Sequence, residues 1–322
     1  MALPWDVPIM QAPVGPATTT RLVGAVCRAG GLGTLAASWT EPAVLRKQVR
    51  ELRASVGPSF CVNLVLDFDQ RARLDAVLDE GVELVSFSWG VDGGFIREAH
   101  DAGARVLVQV GDVAAAREAA DAGADIVIAQ GVEAGGHVEG TTPLLELLGA
   151  LRPILDLPIV AAGGIADGAS ARAAVAAGAD GVACGTAYLV APEADVHPDY
   201  LERLLRSVAS DTVLTTVFDI GWPDAPHRVI RNDTFVAWET AGRPGRGSRP
   251  GEDDVIASRS GNHVVRYSDA QPTRDTAGEI GSMALYAGMS VGLVHGRASA
   301  EDITRGIARG LSVGGRYRDD RS

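Results

Sequence analysis

The chain is almost without lysine: Lys47 stands alone against 28 arginines. It lies mid-helix in EPAVLRKQVRELRASVG, on a face its neighbours make solvated, which argues against Schiff-base chemistry on a lysine amine. A GxxxxGK[ST] phosphate loop is absent as well. Cysteine is scarce, and Cys27, Cys61 and Cys184 are widely spaced and odd in number. They form neither a disulfide framework nor a zinc pattern, so a reducing, cytoplasmic setting is expected. Positive charge is short: the net charge is −12 and the pI about 5.0, which disfavours nucleic acid and anionic membrane surfaces as partners. No apolar run approaches the roughly 20 residues of a membrane span. The start, MALPWDVPIMQAP, lacks the basic residues and apolar core of a signal peptide and is expected to enter the fold directly.

What is present is an ordinary globular composition, 46% hydrophobic and 22% charged over 322 residues. That length suits one large domain with an appendage, since single α/β barrels reach about 250 residues. A unit recurs to about residue 190: a helix rich in alanine and arginine, a small-residue cap, then a short apolar strand. The caps and strands read AGGLGTLAA (29–37), EGVELVSFS (80–88), AGARVLVQV (102–110), AGADIVIAQ (122–130) and AGADGVACGT (177–186). VPIMQAP (7–13), FCVNLVL (60–66) and LPIVAAGG (157–164) complete eight strands. Helices are expected at Thr18–Arg28, Glu41–Val56, Asp69–Glu80, Gly93–Ala102, Val113–Ala122, Pro143–Ile154 and Asp167–Ala177. Alternating strands and helices of this size describe a (β/α)8 TIM barrel. A doubly wound open sheet competes, but it would place GxGxxG after the first strand, and Gln11-Ala12-Pro13 stands there instead.

Beyond residue 190 the rhythm breaks. Helices are expected at Pro198–Ala209, Thr276–His295 and Ala300–Leu311, with GRPGRGSRPGEDD as a hinge or surface loop and GGRYRDDRS as a frayed tail. Residues 1–192 and 276–322 are read as the barrel with its closing helices, and 193–275 as a cap over one barrel mouth, too short and polar for a core of its own.

Chemistry concentrates in GADIVIAQGVEAGGHVEG (123–140). A buried parallel strand ends at Gln130 and opens into a loop whose glycines, Gly131, Gly135 and Gly136, favour positive φ and close approach to a flat ligand. His137, at the carboxyl end of such a strand, is a candidate general base with an ordinary pKa near 6.5. The strands ending in AAGGI (161–165) and ACGT (183–186) offer the backbone N–H groups of Gly163, Gly164 and Gly185 and the Thr186 hydroxyl as a phosphate cradle. Asp167 reads as a helix N-cap. Ala12, Pro13 and Val14, with the amides of Asn63 and Gln130, supply an apolar wall and two polar groups between cradle and base. A phosphorylated planar heterocycle fits that outline, FMN better than a sugar phosphate. The other histidines read as solvated or structural (His100, His197, His263, His295), with His227 in APHRVIRN the one that could reach the site. A metal on Glu133 and His137 lacks a second histidine nearby.

The set QAPVGPATT, GGLGTLAAS, CVNLVL, VSFSWG, AQGVEAGGHVEG, PIVAAGGIADG and GADGVACGTAYL resembles the nitronate monooxygenase family, once called 2-nitropropane dioxygenases. The likeness runs from residue 8 to about 190, and more weakly through DIGWPDAPHRVIRN and AGMSVGL. It implies an FMN-containing barrel in which Ala12 and Pro13 pack on the isoalloxazine. It further implies that Asn63, Gln130, Gly135 and Gly164 contact FMN, that Ala183, Cys184, Gly185 and Thr186 hold its phosphate, and that His137 is the base. Val14 replaces a common methionine, Cys184 a larger apolar residue and Met289 a glutamine. The implied reaction is oxidation of an alkyl nitronate by O2 to a carbonyl compound and nitrite. Flavin enoyl-thioester reductases that use NAD(P)H share GVEAGGH and AAGGIADG, so that activity is the alternative, and a non-catalytic flavin-binding module is the third. The expected assembly is a homodimer.

Overall fold

Each Ala-Gly or Glu-Gly pair of the repeat ends its helix on a left-handed glycine: Gly30, Gly81, Gly103, Gly123 and Gly178 have φ between 66° and 114°. The chain then turns directly into a buried strand. The computed structural model describes residues 3–312. In chain order its first nine strands are β1 (Ile9–Gln11), β2 (Thr34–Ala36), β3 (Cys61–Val65), β4 (Leu84–Ser88), β5 (Arg105–Val110), β6 (Ile126–Gln130), the two-residue β7 (Gly136–His137), β8 (Ile159–Ala162) and β9 (Gly181–Cys184). All but β7 form one parallel sheet ordered β1-β9-β8-β6-β5-β4-β3-β2. A parallel bridge between Met10 and Leu32 joins its two edges, with Gln11 N donating to Leu32 O at 2.8 Å and Leu32 N to Ile9 O at 2.8 Å. The sheet is therefore a barrel closed between β1 and the approach to β2.

Continuous apolar strands still alternate by face. On β6, Ile126 and Ile128 point into the barrel with Cys61, Leu84, Leu107, Val160 and Ala183, whereas Val127 and Ala129 meet the helices. Trp5, Met10 and Leu32 fill the same interior. The lumen is a packed core, so ligands are confined to the mouth where the strands end.

The helices on the barrel are α1 (Thr20–Arg28), α2 (Pro42–Val56), α3 (Arg71–Asp79), α4 (Gly93–Asp101), α5 (Val113–Asp121), α6 (Leu144–Leu151) and α7 (Gly168–Ala176). All seven lie where the pattern places them. Asp167 caps α7 in a capping box with Ser170, as expected. After the one-turn α8 (Thr186–Leu189) come α9 (Pro198–Arg206), β10 (Thr212–Thr215), β11 (His227–Ile230), α10 (Asp233–Thr240), β12 (Val255–Arg259), β13 (Asn262–Val265) and β14 (Thr276–Gly278), and α11 (Ala300–Ser312) packs against α1 and α7.

Two expectations need correction. Thr276–His295 is not a helix but β14, two 3-10 turns (Ile280–Ser282 and Met289–Leu293) and extended chain. Its four glycines outweigh its apolar spacing, and Gly278, at φ 135°, lies so close to Ile256 and Ala257 that a Cβ would stand 2.4 Å from Ile256 O. His295 therefore ends no helix. The region after the barrel also has a small core of its own, Val217, Phe218, Val229, Phe235, Tyr267 and Ala284. The GRPGRGSRPGEDD stretch is a surface loop, as expected, anchored where the buried Arg249 pairs with Asp219 and Glu252 and stacks 4.2 Å over Tyr267. GGRYRDDRS lies outside the described residues.

Candidate active site

The strand order places the ends of β1, β9, β8 and β6 side by side at one half of the mouth. Ala12 N donates to Cys184 O at 2.9 Å and Gly131 N to Ala162 O at 2.8 Å, so pairing continues just past the strands. Beyond those bonds the N–H groups of Gly163, Gly164 and Gly185 have no hydrogen-bond partner among the described residues. All three glycines are half-buried, and Gly163 and Gly164 have φ of 114° and 70°. A Cβ on Gly185 would touch Val14 and Ala12, at 3.5 and 3.8 Å, which brings the apolar wall against the cradle. Unpaired donors on a bare, accessible backbone are what a phosphate needs. Thr186 is buried, and its hydroxyl accepts from Gly288 N at 3.0 Å while keeping its own hydrogen to donate. Ala183 and Cys184 are buried in β9, and burial pushes the Cys184 thiol up to about 12, so the two can contribute only backbone. The residues present fit the phosphate end of FMN.

The two amides are less free. Asn63 Nδ2 donates to Ser86 Oγ at 3.0 Å and more weakly to Ser86 O and Ser88 Oγ, all on β4. Gln130 closes its own loop: Nε2 donates to His137 O at 3.1 Å and Oε1 accepts from Glu139 N at 2.9 Å. Of the loop glycines only Gly136 has positive φ, 74°. Gly131 and Gly135 are small because protein packs on them: a Cβ would stand 2.5 Å from Leu144 Cβ at the first and 2.2 Å from Gly288 N at the second. Gly135 meets the 287–288 backbone there.

His137 is held from two sides. Gln130 fixes its carbonyl, and β7 pairs antiparallel with β11, so that His137 faces His227 and Gly136 faces Arg228 across the ladder. The Trp222 ring stacks on the imidazole at 4.1 Å and 26°, with His227, Tyr286 and Trp89 rings at 5.3, 5.5 and 6.2 Å. His137 Nε2 is buried without a hydrogen-bond partner. Burial, and secondarily the neighbouring His227, lowers the His137 pKa to about 3. The imidazole is neutral at physiological pH, and the proton affinity expected of a base near 6.5 is gone. His227 does reach the site, as a backing ring: it is fully buried, Nδ1 lies 2.9 Å from Ala225 O, and Nε2 accepts from Phe218 N at 3.3 Å. The remaining histidines stay outside. His100 is exposed beside Asp125, His197 caps α9, and His263 and His295 are exposed.

Residues that the sequence reading passed over build the other half of the mouth. Trp39 follows β2, Phe68 follows β3 and Trp89 follows β4, while Trp222 comes from the cap. Ring centroids lie 5.1 Å apart for Phe68–Trp222, 4.8 Å for Trp89–Trp222 and 5.7 Å for Trp39–Phe68. Trp222 Nε1 donates to Asp67 Oδ2 at 2.6 Å, tying the segment before β11 to the chain that follows β3. Trp39 is 56% exposed, which leaves an apolar face open at the rim. The available signal was positional: four of the chain's five tryptophans, Trp39, Trp89, Trp222 and Trp238, follow barrel strands or lie between residues 193 and 275.

Glu139 was also missed. Its carboxylate accepts from Gln109 Nε2 at 2.5 Å and Trp89 N at 3.0 Å, and burial raises its pKa to about 7. The folded value lies above the ordinary glutamate value of 4.5, so the folded state holds the extra proton. The stability penalty is therefore absent below about pH 4.5, grows as pH rises, and is complete above about 7. Glu139→Gln should raise Tm by a few degrees at pH 8, roughly 1–3 kcal/mol, and change little at pH 4.5. Equal thermal shifts at both pH values would show that the carboxylate bears no such penalty.

Unpaired backbone N–H groups after β8 and β9 and a histidine loop after β6, at the mouth of a closed parallel barrel, are features compatible with a flavin-dependent enzyme. The chain belongs to the nitronate monooxygenase family, whose model, "Nitronate monooxygenase", matches residues 2–72 and 68–307. It is an FMN-binding member of that family. Among curated relatives, the (3aS,4S,5R,7aS)-5-hydroxy-7a-methyl-1-oxo-octahydro-1H-indene-4-carboxyl-CoA dehydrogenase of Mycobacterium tuberculosis is 34% identical over 239 residues, 73% of this chain and 66% of that protein. The match thus spans just under two thirds of that relative's length. Among solved structures, FabK from Thermotoga maritima superimposes with a TM-score of 0.79 at 27% identity, covering 96% of this chain and 94% of that one. The nitroalkane oxidase of Streptomyces ansochromogenes gives 0.76 at 27% identity, covering 96% of each. No helix among the described residues is long and apolar enough to cross a membrane.

Proposed function

We propose that the chain is an FMN-dependent reductase of enoyl thioesters that draws its electrons from NAD(P)H. The observation that carries this reading is the aromatic half of the mouth, where Trp39, Phe68 and Trp89 pack around the buried Trp222 and the 56% exposed Trp39 leaves an apolar face open at the rim. An acyl chain or ring system is the group that gains from it. The carboxyl-CoA dehydrogenase among the relatives, itself named for a thioester with a fused-ring acyl group, supports the same substrate class. NAD(P)H supplies a hydride and solvent a proton, and together they saturate the carbon–carbon double bond conjugated to the thioester carbonyl.

Gly163, Gly164, Gly185 and Thr186 would hold the FMN phosphate, and Ala12, Pro13 and Val14 would border the ring system. Bound FMN supplies a two-electron relay between nicotinamide and substrate. His137, neutral and with an unpaired buried nitrogen, suits a hydrogen-bond donor to a carbonyl oxygen on which charge develops. The aromatic wall excludes water from that bond.

Nitronate oxidation by O2 is the second reading, favoured by the family model and by the nitroalkane oxidase among the structural neighbours. A preformed nitronate needs no base, whereas a neutral nitroalkane does, and a histidine near pKa 3 serves that need poorly. The test is anaerobic. The yellow holoenzyme should bleach with NADH or NADPH and recover colour on addition of an enoyl-CoA. Bleaching by ethyl nitronate alone, with nicotinamides inert, would transfer the assignment to the second reading.

A further inference from the structure

We propose that Glu139 is a positioning residue that holds Trp89 in place and thereby makes the site selective for thioesters with a bulky apolar acyl group. The proposal deepens the thioester reading above and rests on it for its substrate.

Trp89 is left-handed, with φ 60°, a conformation that an L-residue with a large side chain rarely adopts, and Gly90 follows at 135°. Something must hold it there. Its backbone N–H donates to Glu139 Oε1, and the same oxygen receives Gln109 Nε2 from β5. Glu139 is itself fixed, because its N–H donates to Gln130 Oε1 at the end of β6. The next residue, Gly140, is pressed on Gly111 so closely that a Cβ would stand 2.2 Å from Gly111 O. Glu139 thus ties the β4 loop to the end of β5 through its carboxylate and is anchored to the end of β6 through its own N–H. The product of that tie is the Trp89 ring, set 4.8 Å from Trp222 and 6.2 Å from His137. Freed of it, the Trp89 backbone would relax toward ordinary φ, and the ring would leave the wall. The carboxylate sits half-buried, at a cost to the fold, where a neutral residue would be cheaper.

The test uses FMN-loaded enzyme with NAD(P)H and two substrates, cinnamoyl-CoA with a ring on the β-carbon and crotonyl-CoA with a methyl. Glu139→Ala should lower the cinnamoyl-to-crotonyl ratio of kcat/KM about ten-fold, mostly through the KM for cinnamoyl-CoA. Glu139→Gln keeps an acceptor oxygen for Trp89 N and should restore the ratio to within about three-fold of wild type. Trp89→Leu should lose the preference, and adding Glu139→Ala to it should change the ratio no further. Equal losses on both substrates, or full additivity in the double variant, would overturn the proposal. Where Glu139→Ala does not fold, Glu139→Asp, which keeps the charge and loses the reach, takes its place. If wild-type enzyme reduces neither thioester, the thioester reading has failed by itself. The positioning role is then read from near-ultraviolet circular dichroism. The Trp89–Trp222 couplet should vanish in Glu139→Ala and persist in Glu139→Gln, and its survival in Glu139→Ala would overturn the role.

Discussion

Gly164→Asp should release FMN while the barrel stays folded. Gly164 has φ 70°, and a Cβ there would stand 3.2 Å from Glu133 Cβ, so any side chain is strained and crowded. Backbone strain costs about 1–2 kcal/mol. The larger effect is charge. A carboxylate about 4 Å from a phosphate near a protein surface costs roughly 4 kcal/mol, or about 10³-fold in affinity. Gly164→Ala carries the strain without the charge and should weaken FMN by about ten-fold. Both are read by titrating apoprotein with FMN and following flavin fluorescence, with far-ultraviolet circular dichroism to show the fold. An FMN affinity unchanged in the aspartate variant would place the phosphate elsewhere than on the Gly163–Gly164 backbone.

His137→Leu should lower kcat/KM by about 10²–10³, the usual loss when one donor to a developing oxyanion is removed. His137→Asn keeps an N–H and should recover part of it. The pH dependence separates this role from that of a base. With its pKa lowered to about 3, His137 stays neutral from pH 5 to 8 and should contribute no inflection there. A limb near pH 6.5 in wild type that disappears in His137→Asn would restore the base. FMN content should be close to wild type in both variants, because the cradle glycines lie on other loops.

The barrel was legible because each level of the sequence repeats the same message. A glycine stop, a buried run of four to six residues and an amphipathic helix recur at a near-constant interval, and neighbouring units reinforce one another. Of the glycines after the last two barrel strands, Gly163 and Gly164 were legible as backbone positions because their φ of 114° and 70° favours glycine, whatever surrounds them. The segment from 276 to 295 misled because apolar spacing in a glycine-rich stretch reflects contacts with other elements, here β12 and the 133–135 loop, rather than a helix face. Glu139 and the aromatic wall were hidden for the same cause. Nothing in the sequence pairs Glu139 with Gln109 and the Trp89 amide until the fold brings them together, and Trp39, Phe68, Trp89 and Trp222 are far apart in the chain until the mouth assembles them.

The antiparallel pairing of β7 with β11 makes the position of His137 joint property of two regions of the chain that are 90 residues apart in register, His137 opposite His227. Anyone grafting a foreign cap onto this barrel to change its substrate range would also be replacing the template strand of the histidine loop. The transferable module is therefore the pair: residues 130–140 travel with the cap, and a chimera that moves one without the other inherits a misaligned imidazole along with its new pocket.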